Sequence, residues 1–256
     1  MNLRPRPLAA LIVPVLVSVL APPARAGMVV DINTDAKGGV GQLAAVTWTF
    51  AGQSEYGLAG TLTTTLAGGT PFDTYCVDLY DTTYVGNGGS NWSAEIQPVV
   101  GAFAGNPAGN PTGGNGGAIA YLYSQFAASV STGIQGAALQ IAIWKVEYDD
   151  SGNLATGNFR FADSADLNSV QHLVYAQATA FLAGFDGTQT SDNATFLMAT
   201  SHPNALYQDL VGPAIIPGVV LPNTAAVPEP ASVVLMLSGL GAVALTSRRR
   251  HASRGA

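Results

Sequence analysis

The sequence contains little cysteine, histidine or charge. Its 256 residues include one cysteine, Cys76, three histidines and 10% charged residues. A single thiol cannot form a disulfide within the chain, and one cysteine with scattered histidines gives no ligand spacing for zinc. We therefore expect no metal site and no cofactor. The same scarcity leaves no convincing set of acid, base and nucleophile. We do not expect an enzyme with turnover, and a secreted hydrolase is the least favoured class.

Basic residues are scarce through most of the chain. Between positions 27 and 228 they are Lys37, Lys145 and Arg160, against fifteen acidic residues, a balance of −12. Because such a surface cannot neutralise phosphates, nucleic acid is excluded as a partner. Cationic polymers, amines or calcium fit this charge better. The acidic residues lack the spacing of an EF-hand or a nonapeptide repeat, so a solvated acidic surface is the preferred interpretation.

Residues 1–26 have the features of a secretory signal peptide. Two arginines precede an apolar core at 8–20, and a small-x-small Ala-Arg-Ala sequence ends at Ala26. This pattern predicts cleavage after Ala26, with Gly27 as the mature N-terminus. We therefore expect export through the Sec translocon.

The periodicity of apolar residues predicts a single α+β domain over 27–211. Strand-like runs occur at 28–32, 45–50, 58–63, 72–78, 159–161, 194–199 and 205–207. Helical spacing occurs at 118–130, 133–147 and 164–184, and residues 86–117 are expected to be mostly loop. Strands, then three helices, then strands indicate a sheet structure with an inserted helical region.

The third predicted helix is expected to begin at a cap formed by Ser164 and to bury one apolar face. That face comprises Leu167, Val170, Leu173, Val174, Ala178, Phe181 and Leu182.

The C-terminal region has four parts in order. Residues 212–227 are proline-rich and uncharged, which predicts a stiff linker. Pro228-Glu229-Pro230 then precedes an uncharged run of 17 residues at 231–247, near the lower limit for one membrane-spanning helix. The cluster Arg248-Arg249-Arg250 is expected to hold the end of that helix in the cytoplasm.

The tail from Pro228 to residue 256 resembles the PEP-CTERM sorting signal of Gram-negative bacteria. The resemblance is carried by the Pro-Glu-Pro motif, the single predicted helix and the arginine cluster, in that order. It implies recognition by a membrane exosortase. It also implies an inner-membrane intermediate that is then delivered to the cell surface or released, often in bacteria that make extracellular polysaccharide.

Cys76 and Gln140 together suggest a chemical function. Cys76 lies in an aromatic, β-branched run that predicts a buried strand, and Gln140 lies in mid-helix between apolar residues. A glutamine there is costly to bury unless its amide is paired or chemically used. Condensation of the thiol with the amide would release ammonia and leave a thioester, which an amine or hydroxyl could attack. We expect Tyr75, Trp144 and Tyr123 to keep water from this bond.

These residues also carry a resemblance to the thioester domains of bacterial surface adhesins. Tyr75-Cys76-Val77-Asp78 is similar to that family's strand motif, and the sequence from Gln140 to Trp144 is similar to its helix motif. The resemblance spans about residues 43–210. It implies a β-barrel or sandwich with a helical insertion, a bond between Cys76 and Gln140, and covalent attachment to a surface or matrix polymer, either an extracellular polysaccharide or an amine-bearing polymer.

The alternative is a passive structural protein of the extracellular matrix without a thioester. In that interpretation Cys76 is a core residue, and Gln140 is hydrogen-bonded to a neighbouring strand.

Overall fold

The structure is a computed structural model that describes residues 28–38, 42–66, 69–80, 85, 90–99, 115–149, 151–200 and 208–214. Its strands are β1 Met28–Ala36, β2 Ala44–Phe50, β3 Gln53–Ala59, β4 Leu62–Leu66, β5 Phe72–Cys76, β6 Ser90–Pro98, β7 Phe159–Arg160, β8 Thr195–Ala199 and β9 Leu210–Gly212. Its helices are α1 Gly116–Phe126, which continues into a 3₁₀ turn at Ala127–Ser129, α2 Gly133–Tyr148 and α3 Val170–Leu182.

Six strands form a closed antiparallel barrel in the order β1-β4-β5-β9-β8-β6. Three neighbouring strands each contribute one buried threonine to its interior. The Thr64 hydroxyl lies 3.4 Å from that of Thr34 on β1 and 2.7 Å from that of Thr74 on β5. Because these hydroxyls bond to one another, the barrel tolerates polar groups in an otherwise apolar core.

A second, three-stranded sheet has the order β3-β2-β7, and α2 lies between it and the barrel. Every residue of α2 from Gly136 to Tyr148 is buried. The helix begins at Thr132, whose side chain accepts a hydrogen bond from the Gln135 N–H at 3.2 Å. One turn in, Gly136 lies so close to Thr61 that a Cβ there would be 2.6 Å from the threonine hydroxyl oxygen. This close approach brings the side chains of α2 within reach of the barrel strands.

A buried ion pair fixes the chain after α2. The Lys145 side chain is fully buried, and its Nζ donates to Asp149 Oδ2 at 2.8 Å and to the Thr156 and Phe159 carbonyls at 2.6 and 3.1 Å. The Asp149 carboxylate also accepts from the Asn158 and Phe159 N–H groups. Burial lowers the pKa of Lys145, and Asp149 opposes that shift. These bonds hold β7 in place against β2.

The predicted α+β class with a helical insertion is confirmed, since α1, α2 and α3 lie between the barrel strands β6 and β8. One strand prediction and one loop prediction are wrong. The run at 58–63 divides between β3 and β4, because the chain passes from the three-stranded sheet to the barrel at residues 60–61. The expected loop at 86–117 contains β6, in which Trp92, Ala94 and Ile96 alternate inward.

The third helix begins later than expected, at Val170 and not at Ser164. Its cap is Ser169, whose side chain accepts from the His172 N–H. Ser164 instead accepts from the Asp166 N–H in a turn before the helix. Of the predicted apolar face, Val174, Ala178, Phe181 and Leu182 are buried, whereas Leu167, Val170 and Leu173 are exposed.

Several predicted features lie outside the described residues. They are the signal peptide at 1–26, the run at 205–207, most of the linker and the tail at 228–256. In the part of the chain that the structure describes, no helix combines the length and the apolar character needed to cross a membrane.

Replacing Lys145 by methionine is expected to lower the free energy of unfolding by about 3 kcal/mol, because it leaves the nearly buried Asp149 carboxylate without its cation. The matched control is Lys37→Met. Lys37 pairs with Asp73 at 2.6 Å, but the two side chains are 44% and 32% exposed, so the expected loss is under about 1 kcal/mol. Urea unfolding of both variants measures the difference, and equal losses would contradict the structural role assigned to Lys145.

Candidate functional site

The Gln140 side chain forms two hydrogen bonds with the backbone of Cys76. Gln140 Oε1 accepts from the Cys76 N–H at 2.9 Å, and Gln140 Nε2 donates to the Cys76 carbonyl at 2.5 Å. Gln140 is 1% exposed and Cys76 is 7% exposed. A backbone donor and a backbone acceptor together fix which end of the amide is oxygen and which is nitrogen. We call this pair of bonds the Gln140 clasp.

The clasp fills a gap in the barrel. β4 begins at Leu62, which pairs with Thr74, so no β4 residue lies opposite Cys76 on that side. On the other side Cys76 is aligned with Leu210, and it is Val77 that donates to the Asp209 carbonyl. Buried backbone groups need hydrogen-bond partners, and at this position Gln140 of α2 bonds to both the Cys76 N–H and the Cys76 carbonyl.

Cys76 and Gln140 both line a cavity of about 400 Å³. Its walls are mainly apolar and aromatic and lie between α2, the barrel and the β2–β3 hairpin. The described lining residues are Leu43, Trp48, Phe50, Glu55, Tyr56, Gly57, Leu58, Gly60, Leu62, Cys76, Leu79, Val85, Gln140, Trp144 and Gln208. The thiol-bearing residue and the amide therefore share a space large enough for a small group.

Two tryptophans from different elements meet in this cavity. Trp144, one turn after Gln140 on α2, has its ring centroid 5.2 Å from that of Trp48 on β2. Gly57 on β3 leaves room for Trp48, since a Cβ there would lie 2.8 Å from the indole Cη2. The sequence predicted Trp144 but missed Trp48 and Gly57. The sequence predicted the strand around Trp48 from its alternation, but it did not show that this strand faces α2.

Tyr75 and Tyr123 lie away from the cavity lining. Tyr75 precedes Cys76 on β5, so its side chain points to the opposite face of the strand. Its hydroxyl accepts from the Thr61 hydroxyl at 2.9 Å, and its ring lies 6.1 Å from that of Tyr123. Tyr123 donates to the Asp73 carbonyl at 2.9 Å. Burial raises the pKa of both tyrosines, so both remain protonated. They anchor α1 to β5 beside the site.

The acidic residues near Cys76 bind backbone groups. Asp78 accepts from the Asp209 N–H at 2.7 Å, and Asp209 accepts from the Ala199 N–H at 2.8 Å. Burial, with Asp78 and Asp209 nearby, holds the pKa of Glu147 well above its ordinary value. Within the described ranges no group of three or more His, Cys, Asp or Glu residues is placed to hold a metal ion.

A second glutamine makes the same pair of bonds without a thiol. Gln171 of α3 accepts from the Thr47 N–H at 3.1 Å and donates to the Thr47 carbonyl at 2.9 Å. These bonds continue the β2 ladder beyond the end of β7. The two sites differ in their surroundings, because Thr47 is exposed while Cys76 is buried. Gln171 therefore provides a matched control for Gln140.

Comparison with known proteins identifies the C-terminal region. Residues 226–250 match the family model of the PEP-CTERM protein-sorting motif. The chain carries a PEP-CTERM sorting motif. This PEP-CTERM motif includes Pro228-Glu229-Pro230 and Arg248-Arg249-Arg250 and marks the chain for export and sorting.

Solved structures similar to this chain include two domains from Streptococcus pyogenes. The N-terminal domain of the pilus tip adhesin Cpa is 13% identical with a TM-score of 0.42, and the match covers 62% of this chain and 85% of that domain. The N-terminal thioester domain of the fibronectin-binding protein SfbI is 13% identical with a TM-score of 0.35, covering 65% and 91%. No curated protein matches the chain significantly.

Replacing Gln140 by leucine is expected to lower the free energy of unfolding by about 3 kcal/mol, because two buried backbone groups at Cys76 lose their partners. Gln171→Leu is expected to cost under about 1 kcal/mol, since water can replace the amide at exposed Thr47. Both changes are made in a Cys76→Ala background, so that no bond between residues 76 and 140 contributes. Denaturant unfolding gives the two values, and a larger loss for Gln171→Leu would contradict the clasp as a buried, strand-completing contact.

Proposed function

We propose that the chain is an exported surface protein whose folded domain forms an internal thioester between Cys76 and Gln140 and uses it for covalent attachment. The observation that carries this proposal is the Gln140 clasp, because it holds the amide against the backbone of the residue that bears the thiol. The PEP-CTERM motif supports an exosortase as the sorting partner and a membrane-inserted intermediate before release to the surface.

The clasp supports a route by which the bond forms. The Cys76 sulfur, as thiolate, adds to Gln140 Cδ, and negative charge develops on Oε1. The Cys76 N–H already donates to that oxygen at 2.9 Å, which is the position of an oxyanion-stabilising donor. The Cδ–Nε2 bond then breaks, the nitrogen leaves as ammonia with the thiol proton, and a C–S bond remains. No oxidant, metal or cofactor takes part.

Use of the bond is an acyl transfer to another molecule. The nitrogen of an amine, or the oxygen of a hydroxyl, attacks Cδ, and the Cys76 sulfur leaves and takes up the proton that the attacking group loses. The result is an amide or ester between Gln140 and the acceptor, with a free Cys76 thiol. The domain acts once, which makes it a cross-linker without turnover. The Trp48–Trp144 contact covers the site and limits hydrolysis.

A passive structural role without a thioester is the second candidate. It is favoured by Gln171, which makes the same bonds to a strand where no thiol is present. In that case the clasp is a strand-completing contact only, and Cys76 is a core residue. A thiol hydrolase has less support, because His172 pairs with Asp163 at 2.8 Å and is not among the residues lining the cavity.

Intact-mass measurement of the mature protein is expected to give a mass lower by one ammonia than the sequence predicts. Cys76 is expected to resist alkylation in denaturant until an amine is added, because its sulfur is acylated. Methylamine is expected to add to Gln140 and to release the thiol.

The controls separate the two candidates. Cys76→Ala and Gln140→Ala are expected to show full sequence mass and no amine adduct, while Gln171→Ala keeps the ammonia loss. Full mass for the wild-type protein, with Cys76 alkylated at once after denaturation, would reject the thioester and leave the structural role.

A further inference from the structure

Glu55 gives the cavity its charge. Among the described residues that line the cavity, it is the one with a formal charge. Its side chain is exposed, and it forms no ion pair or hydrogen bond with any described residue. An exposed carboxylate at the rim of an apolar cavity attracts cations to that rim.

The strand register directs Glu55 toward the site. Glu55 on β3 lies directly opposite Trp48 on β2, and residues opposite each other in an antiparallel pair share one face of the sheet. Trp48 faces α2, since its ring contacts Trp144. Glu55 therefore lies on the same face, closer than Gly57 to the exposed hairpin turn at residues 51–52. A carboxylate beside an indole combines two groups that bind ammonium ions.

We propose that the acceptor of the thioester carries a second positive charge, which Glu55 and Trp48 hold while a different, neutral amine enters the cavity. The inference rests on the proposed function, since it names the substrate class of the same site. The two amines have separate roles. The attacking amine must lose its proton before it can attack Gln140 Cδ, whereas the second ammonium remains protonated at the solvent-exposed rim. Molecules or polymers with repeated amines meet this requirement.

The test compares two acceptors of equal chain length, pentylamine and cadaverine, which differ by the second ammonium. The rate of adduct formation on the wild-type mature protein is followed by intact mass and expressed per reactive amine. We expect cadaverine to react about fivefold faster, as a partly exposed ion pair with a cation–π contact allows. Glu55→Gln is expected to abolish this preference, so that the ratio of the cadaverine rate to the pentylamine rate falls to about one. The control Asp192→Asn, which removes an exposed carboxylate elsewhere, is expected to retain it.

A binding measurement tests the cation site without the thioester. Cys76→Ala protein is titrated with tetramethylammonium, a permanent cation that fits the single site at Glu55 and Trp48, and tryptophan fluorescence is recorded. We expect a saturable change in fluorescence, and we expect Glu55→Gln to remove it while Asp192→Asn retains it.

The outcomes distinguish this inference from the proposed function. The role of Glu55 is overturned if adducts form at equal rates with both amines, or if the preference for cadaverine survives Glu55→Gln. Either result leaves the proposed thioester intact. Tetramethylammonium binding to Cys76→Ala protein that is absent, or that survives Glu55→Gln, also overturns the role of Glu55. If the wild-type protein has its full sequence mass and forms no adduct with either amine, the proposed function is overturned. The inference about the acceptor is then overturned as well.

Discussion

The Gln140 clasp is the constraint on which the rest of the site depends. β4 starts two residues too late to pair with Cys76, and a helix side chain takes the place of the missing strand. The barrel can close around this position only if α2 lies close enough for an amide to reach the backbone. The close contact of Gly136 with Thr61 provides that distance. Barrel closure and the proposed thioester therefore both require α2 to pack closely against β5.

Side chains of α2 contact three other parts of the molecule. Gln140 binds the barrel, Trp144 meets Trp48 of the second sheet, and Lys145 holds the chain that leads to β7. A helix used in this way is buried on all sides, as its continuous burial from Gly136 onward shows. The β2–β3 hairpin then lies over the cavity, held on one face by Trp144 and on its far edge by β7 and Gln171.

Sequence alone paired Cys76 with Gln140, which lie in contact, and predicted helices inserted among strands, and the reasons are local. Cys76 is the one cysteine of the chain and Gln140 the polar residue in an apolar helix segment, so both stand out from their neighbours. β6 was missed because its short alternation lies among asparagine and glycine residues. The early start assigned to α3 came from Leu167 and Val170, which have the right spacing but point to solvent. Trp48, Gly57 and Glu55 belong to the site through strand register, which no local pattern specifies.

The burial of Cys76 has a consequence for a protein destined for an oxidising environment. A disulfide requires two sulfur atoms in bonding contact with their Cβ atoms about 3.5–4.5 Å apart, and a residue that is 7% exposed cannot meet that geometry with a second copy unless the barrel opens. Oxidation after export is therefore not expected to link neighbouring folded molecules into covalent dimers through Cys76.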